Sequence, residues 1–80
     1  MNKVRRKVLD DAWGLIDNAR QMVEECKEEE QDAFDNLPDG IQESERGEQM
    51  EDYIYQMEDV ISELESAIDT LNEIVDGGAL

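Results

Sequence analysis

The sequence lacks histidine altogether and has a single cysteine, Cys26, among its 80 residues. Histidine is the usual catalytic base near neutral pH and a common zinc ligand. One cysteine excludes a disulfide within the chain, and without histidine it has no neighbouring base to activate it as a nucleophile. We therefore predict that the chain is not an enzyme and that it binds no cofactor or metal.

Long apolar runs are also missing from the sequence. No stretch approaches the roughly 20 apolar residues that a membrane-crossing helix needs. The start of the chain has a basic cluster but not the apolar segment of a secretory signal, and a lone free cysteine suits a reducing compartment. These features predict a cytoplasmic protein that does not contact the membrane.

Positive charge is scarce: 7 Lys and Arg residues stand against 23 Asp and Glu, for a net charge of −16. Four of the seven cations lie within residues 3–7, so the rest of the chain is even more acidic. Such a surface repels nucleic-acid phosphates and anionic lipids. The charge therefore excludes direct nucleic-acid binding and favours a basic protein as the partner.

The second half of the chain has apolar residues at heptad spacing. One row, spaced seven apart, contains Met50, Met57, Leu64 and Leu71, and a second contains Ile54, Ile61, Ile68 and Val75. A third row contains Tyr53, Val60, Ala67 and Ile74. This period predicts an amphipathic helix over about residues 45–76, which Gly77 and Gly78 are expected to end.

The first half has the same spacing and predicts a helix over about residues 3–35. Its larger apolar rows contain Leu9, Ile16 and Val23, and Val8, Leu15 and Met22. A row of small residues contains Ala12, Ala19, Cys26 and Ala33. Pro38 followed by Asp39 and Gly40 is typical of a turn, so residues 36–44 are predicted to form a loop, with Ser44 as the N-cap of the second helix.

Two helices of similar length around a short loop fold back antiparallel. A bend centred near Gly40 would set small residues opposite large ones, for example Cys26 opposite Ile54, with Cys26 buried. We expect one all-α domain over residues 1–80, an antiparallel, coiled-coil-like helical hairpin.

A hairpin cannot cover three apolar rows on each helix, so part of its apolar surface should remain as an outer seam. We predict this seam at Trp13, Leu15, Met22, Tyr53, Val60 and Ile74. Exposed contiguous apolar surface usually marks an interface, which favours a homodimer forming a four-helix bundle. A parallel two-stranded coiled coil is the alternative arrangement, and Trp13 could instead pack inside the hairpin.

The back of the second helix is acidic. We define its acidic face as Glu51, Asp52, Tyr55, Glu58, Asp59 and Glu65. A rigid array of negative charge imitates a nucleic-acid backbone electrostatically, which favours binding to a basic protein, although acidic helices also simply aid solubility. A magnesium site at Glu24, Glu25 and Glu28 together with the distant Glu73 and Asp76 is a weaker alternative, because those positions point outward.

The run FDNLP at residues 34–38, followed by SERGE at residues 44–48 and an acidic helix, resembles small two-helix proteins encoded by bacteriophages and prophages. The resemblance covers about residues 28–71 and implies a location in the bacterial host cytoplasm. Small acidic phage proteins often inhibit host enzymes or defence systems, so it implies an inhibitor of a basic nucleic-acid-handling or host-defence protein. It implies no catalytic residue. The alternative function is a structural or assembly protein acting through the apolar seam.

Overall fold

The computed structural model of the chain describes residues 1–77. Helix α1 spans Lys3–Asp35, the short helix α2 spans Asp39–Gln42, and helix α3 spans Glu45–Gly77. Residues 1–77 contain no strand, so the predicted all-α fold is confirmed. Gly78, which the sequence assigned to the end of the second helix, lies outside the described residues.

The fold is an elongated helical hairpin. Its Cα atoms extend over 58 × 14 × 13 Å, and their radius of gyration is 17.9 Å, against about 12 Å for a compact chain of this length. Two 33-residue helices lie side by side along most of their length, because each has one apolar face to cover. No helix within residues 1–77 combines the length and apolarity that crossing a membrane requires.

The connection between α1 and α3 is itself partly helical. The Gln42 side-chain amide donates a hydrogen bond at 3.0 Å to the Phe34 carbonyl at the end of α1, which also accepts one from the Leu37 N–H. The Ser44 hydroxyl donates back to the Ile41 carbonyl. The segment of residues 36–44, predicted as a loop, is therefore partly helical and forms a corner of the hairpin in which α2 is held against both long helices.

The core is a single line of isoleucines on α3, namely Ile54, Ile61 and Ile68, which are 4–9 % exposed. On α1 the half-buried residues include Leu9, Ile16 and Val23 together with Trp13, Arg20, Lys27 and Phe34. Burying two aromatic rings and the aliphatic stems of two cations removes more apolar area from water than burying alanines does. This explains why α1 turns this face to α3.

The sequence-based register between the helices is wrong. Cys26 is exposed rather than buried, and Ile54 borders a groove with Phe34. Glu30 borders a second groove with Tyr53 and Val60. The reason is α2: its extra helical turn moves the bend from Gly40 toward Gln42 and shifts the pairing by about one helical turn.

Candidate interaction surfaces

Two grooves run between α1 and α3, and they lie on opposite sides of the hairpin. One is bordered by Glu30 on α1 and by Tyr53 and Val60 on α3. The other is bordered by Phe34 on α1 and by Glu51 and neighbouring acidic-face residues on α3. Helical periodicity separates the two sets, since residues two apart point about 200° from one another. The predicted seam residues of α3 and the acidic face therefore point to different sides of the hairpin.

The acidic face lies at the surface of α3. Asp52, Glu58, Asp59 and Glu65 are exposed, and Glu51 is half-buried. Tyr55 is 59 % exposed and lies in the groove that also contains Glu51 and Glu58. The face thus combines a row of hydrated carboxylates with one aromatic ring, a side chain that is frequent at binding hot spots.

Ion pairs among residues 1–77 do not neutralise this face. Lys7 pairs with Asp11 at 2.8 Å, and Arg20 pairs with Asp17 at 2.8 Å and Glu24 at 3.0 Å. The hydrogen bond that Arg20 donates to Asp17 raises the pKa of Arg20 above its already high ordinary value, so this cation stays charged. These cations are engaged along α1, and the acidic-face carboxylates take part in none of these pairs.

Five of the six predicted seam residues are exposed. Leu15 is 72 % exposed and Met22 61 % on α1, whereas on α3 the fractions are 47 % for Tyr53, 41 % for Val60 and 38 % for Ile74. Exposed apolar side chains at regular spacing along both helices form a strip of the kind that marks an interface. The strip has no cover within the described chain.

Trp13 differs from the other predicted seam residues because it is half-buried. Its indole nitrogen is enclosed and has no hydrogen-bond partner within residues 1–77. An enclosed ring between the helices is a packing residue. The interpretation of Trp13 as part of the hairpin interior therefore fits the structure better than its place in the seam.

The basic start of α1 lies beside the end of α3. Lys3, Arg6 and Lys7 border a groove with Val75, so the cations reduce the charge density at this end of the hairpin only. Within residues 1–77, no three carboxylate or thiol groups are close enough together to hold a metal ion.

Three residues with structural roles were not singled out by sequence reasoning. Arg20 bridges two carboxylates, Gln42 caps α1, and Gly47 admits the backbone of Gln42. Only Gly47 carries a signal in the sequence, since a glycine one turn into a helix needs a reason.

No protein-family model, curated protein or solved structure matches the chain.

Proposed function

We propose that the chain is a non-enzymatic interaction protein that binds a basic protein through the acidic face. In this proposal the apolar seam closes a homodimer, a four-helix bundle that holds two acidic faces on one rigid body. The partner handles nucleic acid or serves host defence, and the chain inhibits it by occupying a basic groove. A bacteriophage or prophage origin and a host-cytoplasm location belong to the same proposal.

The observation that supports this function best is the uncompensated charge of α3. Its acidic-face carboxylates are directed to solvent, whereas the basic residues of the chain lie mainly on α1. A helix presents such charges about 10 Å apart per heptad, on a backbone that does not need to reorganise on binding. Charge of this density accelerates association with a basic surface and selects against acidic partners.

The test is affinity capture of binding proteins from a bacterial host lysate at low and high salt. We expect capture by the natural chain at about 50 mM NaCl and its loss at about 500 mM, because surface charges are screened over a few ångströms at high salt. The variant E51Q/E58Q/E65Q should lose capture even at low salt. Double-stranded DNA added to the lysate should compete with the natural chain.

A charge-matched control is E25Q/E28Q/D32N, which removes three exposed carboxylates from α1. This variant should capture the same protein as the natural chain, because the change in net charge is identical but the acidic face is intact. Equal loss in both variants would mean that net charge alone is responsible. Capture that is unaffected by salt would contradict the proposal.

A second candidate function is structural: the seam joins the chain to a different protein in an assembly. The exposure of Leu15 and Met22 favours this alternative, since both are among the most exposed large apolar residues. Here V60E should abolish the interaction while E51Q/E58Q/E65Q leaves it unchanged. The acidic-face proposal requires the reverse ranking of the two variants.

A further inference from the structure

One face of α1 carries a stripe that is largely exposed in the part of the chain that the structure describes. Its positions, alternately three and four residues apart, are 5, 8, 12, 15, 19, 22, 26 and 29. Val8 is 59 % exposed, Leu15 72 % and Met22 61 %, and Cys26 is exposed as well. Ala12 and Ala19 are half-buried because they lie on the edge nearer α3. We call these eight positions the α1 outer stripe.

The stripe is complementary to itself when one copy is turned end for end. Antiparallel copies centred at residue 17 form four kinds of pair: Leu15 with Ala19, Ala12 with Met22, Val8 with Cys26, and Arg5 with Glu29. Any regular stripe has a midpoint, so the spacing alone decides nothing. The chemistry of the pairs decides: three set a larger apolar residue against a smaller one, as dense packing requires, and one sets a cation against an anion.

The charge distribution along α1 selects the antiparallel direction. Residues 3–7 contain four cations, whereas residues 24–32 contain six carboxylates and one lysine. Antiparallel copies place each basic segment beside the acidic segment of its partner. Parallel copies would place like segments together at both ends, which costs free energy. Asp11, which approaches the partner's acidic segment, is already paired with Lys7.

Helix α3 independently agrees with this centre. Glu30 borders a groove with α3 residues between Tyr53 and Val60, and Val75 borders a groove with α1 residues between Lys3 and Asp10. Residue 17 therefore lies near the level of Ala67, which is half-buried and is the smallest residue in the row that also contains Tyr53, Val60 and Ile74. A two-fold axis through this level would bring two α3 helices together at their smallest side chains.

The α3 row lies on the same side of the hairpin as the α1 outer stripe. Glu30 borders the groove that contains Tyr53 and Val60, and it also borders a groove with Cys26 and Glu29. Val60 and Ile74 are each seven residues from Ala67. Val60 of one copy would therefore lie opposite Ile74 of the other copy. Both helices therefore supply exposed apolar residues to one continuous face.

The exposed area of the elongated chain is large enough to accommodate an interface of ordinary size. The chain exposes 5926 Å², about 1,000 Å² more than the roughly 4,900 Å² of a compact monomer of 9.2 kDa. A standard protein interface buries about 800 Å² on each partner. One copy seated on the face would bring the surface per chain near the ordinary value.

We infer that the chain forms a two-fold symmetric homodimer in which the α1 outer stripes pair antiparallel, with the axis level with Asp17 and Ala67. The inference rests on the self-association included in the proposed function and specifies its geometry. The partner is a second copy of this chain. The loops of the two hairpins lie at opposite ends, and the two acidic faces point away from the interface.

The sole cysteine makes the pairing testable. In V8C, the new thiol should lie opposite Cys26 of the other copy, so diamide should form a covalent dimer through two equivalent disulfides. Each pair of thiols gives two electrons and two protons to the diamide, which becomes the hydrazine. The introduced thiol and Cys26 of the same chain are about 27 Å apart along the helix, too far for an internal bond.

Two controls distinguish the competing arrangements. The natural chain should give no covalent dimer, because the two Cys26 residues lie far apart in antiparallel copies; a covalent dimer here would indicate parallel stripes and overturn the inference. V60C should also give none with Cys26. If V60C forms a covalent dimer and V8C does not, α1 of one copy packs on α3 of the other. That result also overturns the inference.

A charge exchange provides a second readout that needs no oxidation. R5E or E29R alone should weaken the dimer about tenfold in sedimentation equilibrium, because each change acts at two symmetric sites. R5E/E29R should restore the natural affinity, and the helical circular dichroism of all three should stay unchanged. If the affinity of the dimer does not change in these variants, the stripe pairing is wrong, although the chain still self-associates. A monomer at high concentration refutes self-association itself, while the lysate capture experiment still tests the acidic face.

Discussion

Gly47 lies where the corner of the hairpin closely approaches α3. It is buried, and a Cβ atom there would overlap the backbone of Gln42, including its carbonyl oxygen and its Cα at 2.8 Å. These atoms belong to backbone held by α2 and cannot move as a flexible side chain would. The glycine is therefore required by space, since no glycine of residues 1–77 has a positive φ.

We expect G47A to lower the free energy of unfolding by about 1–3 kcal/mol, the usual cost of forcing extra volume into a packed site. G14A is the matched control, because nothing lies within 4 Å of a Cβ at Gly14 in the middle of α1. That substitution should instead raise the unfolding free energy by about 0.5–1 kcal/mol. Urea titration followed by circular dichroism measures both, and equal effects would contradict the close approach.

At the scale of elements, the first turns of α1 contain a charge interaction with a defined pH dependence. The hydrogen bond and the negative charge of Asp11 raise the pKa of Lys7 above 10.5. A pKa that is higher in the folded chain than in the unfolded chain stabilises the fold fully at pH below 10.5, and this contribution is lost as pH rises through the raised value.

Stability should therefore decline less steeply with pH in D11N than in the natural chain above about pH 10. D32N is the control, because Asp32 is an exposed aspartate of the same helix without this partner. Thermal unfolding at several pH values between about 8 and 11.5 measures the slopes. Parallel curves for the natural chain and D11N would show that the pair does not persist in solution.

The sequence predicted the positions of the helices better than it predicted which side of each helix packs against the other. Heptad rows and Pro38 were enough to predict two long helices that fold back on each other, because amphipathic period and turn chemistry are local properties. The pairing of Cys26 with Ile54 was wrong, because the helical turn α2 and the burial of Phe34 depend on contacts between distant parts of the chain. The row of small residues on α1, which includes Cys26, was expected to pack against α3. Larger side chains such as Trp13 pack there instead.

At the scale of the whole molecule, the net charge of −16 affects the two surfaces in opposite ways. Self-association brings two strongly negative chains together, so screening by salt strengthens it. Binding of a basic partner to the acidic face relies on attraction, so screening weakens it. The acidic face itself could be assigned from sequence only as a pattern, because periodicity does not reveal which charges find partners.

We expect the dimer dissociation constant to fall as NaCl rises from about 20 to 500 mM, while the dissociation constant for the captured partner rises over the same range. Sedimentation equilibrium measures the first and a binding titration measures the second. A change in the same direction for both would show that one surface serves both interactions.

The exposed Cys26 thiol lies within the face assigned to self-association. In an isolated hairpin it is open to a maleimide reagent, and the second copy would shield it with Val8. Its labelling rate should therefore drop as protein concentration rises, following the fraction of chains that are dimeric. Labelling of the natural Cys26 thus measures dimer formation in crude mixtures without any substitution.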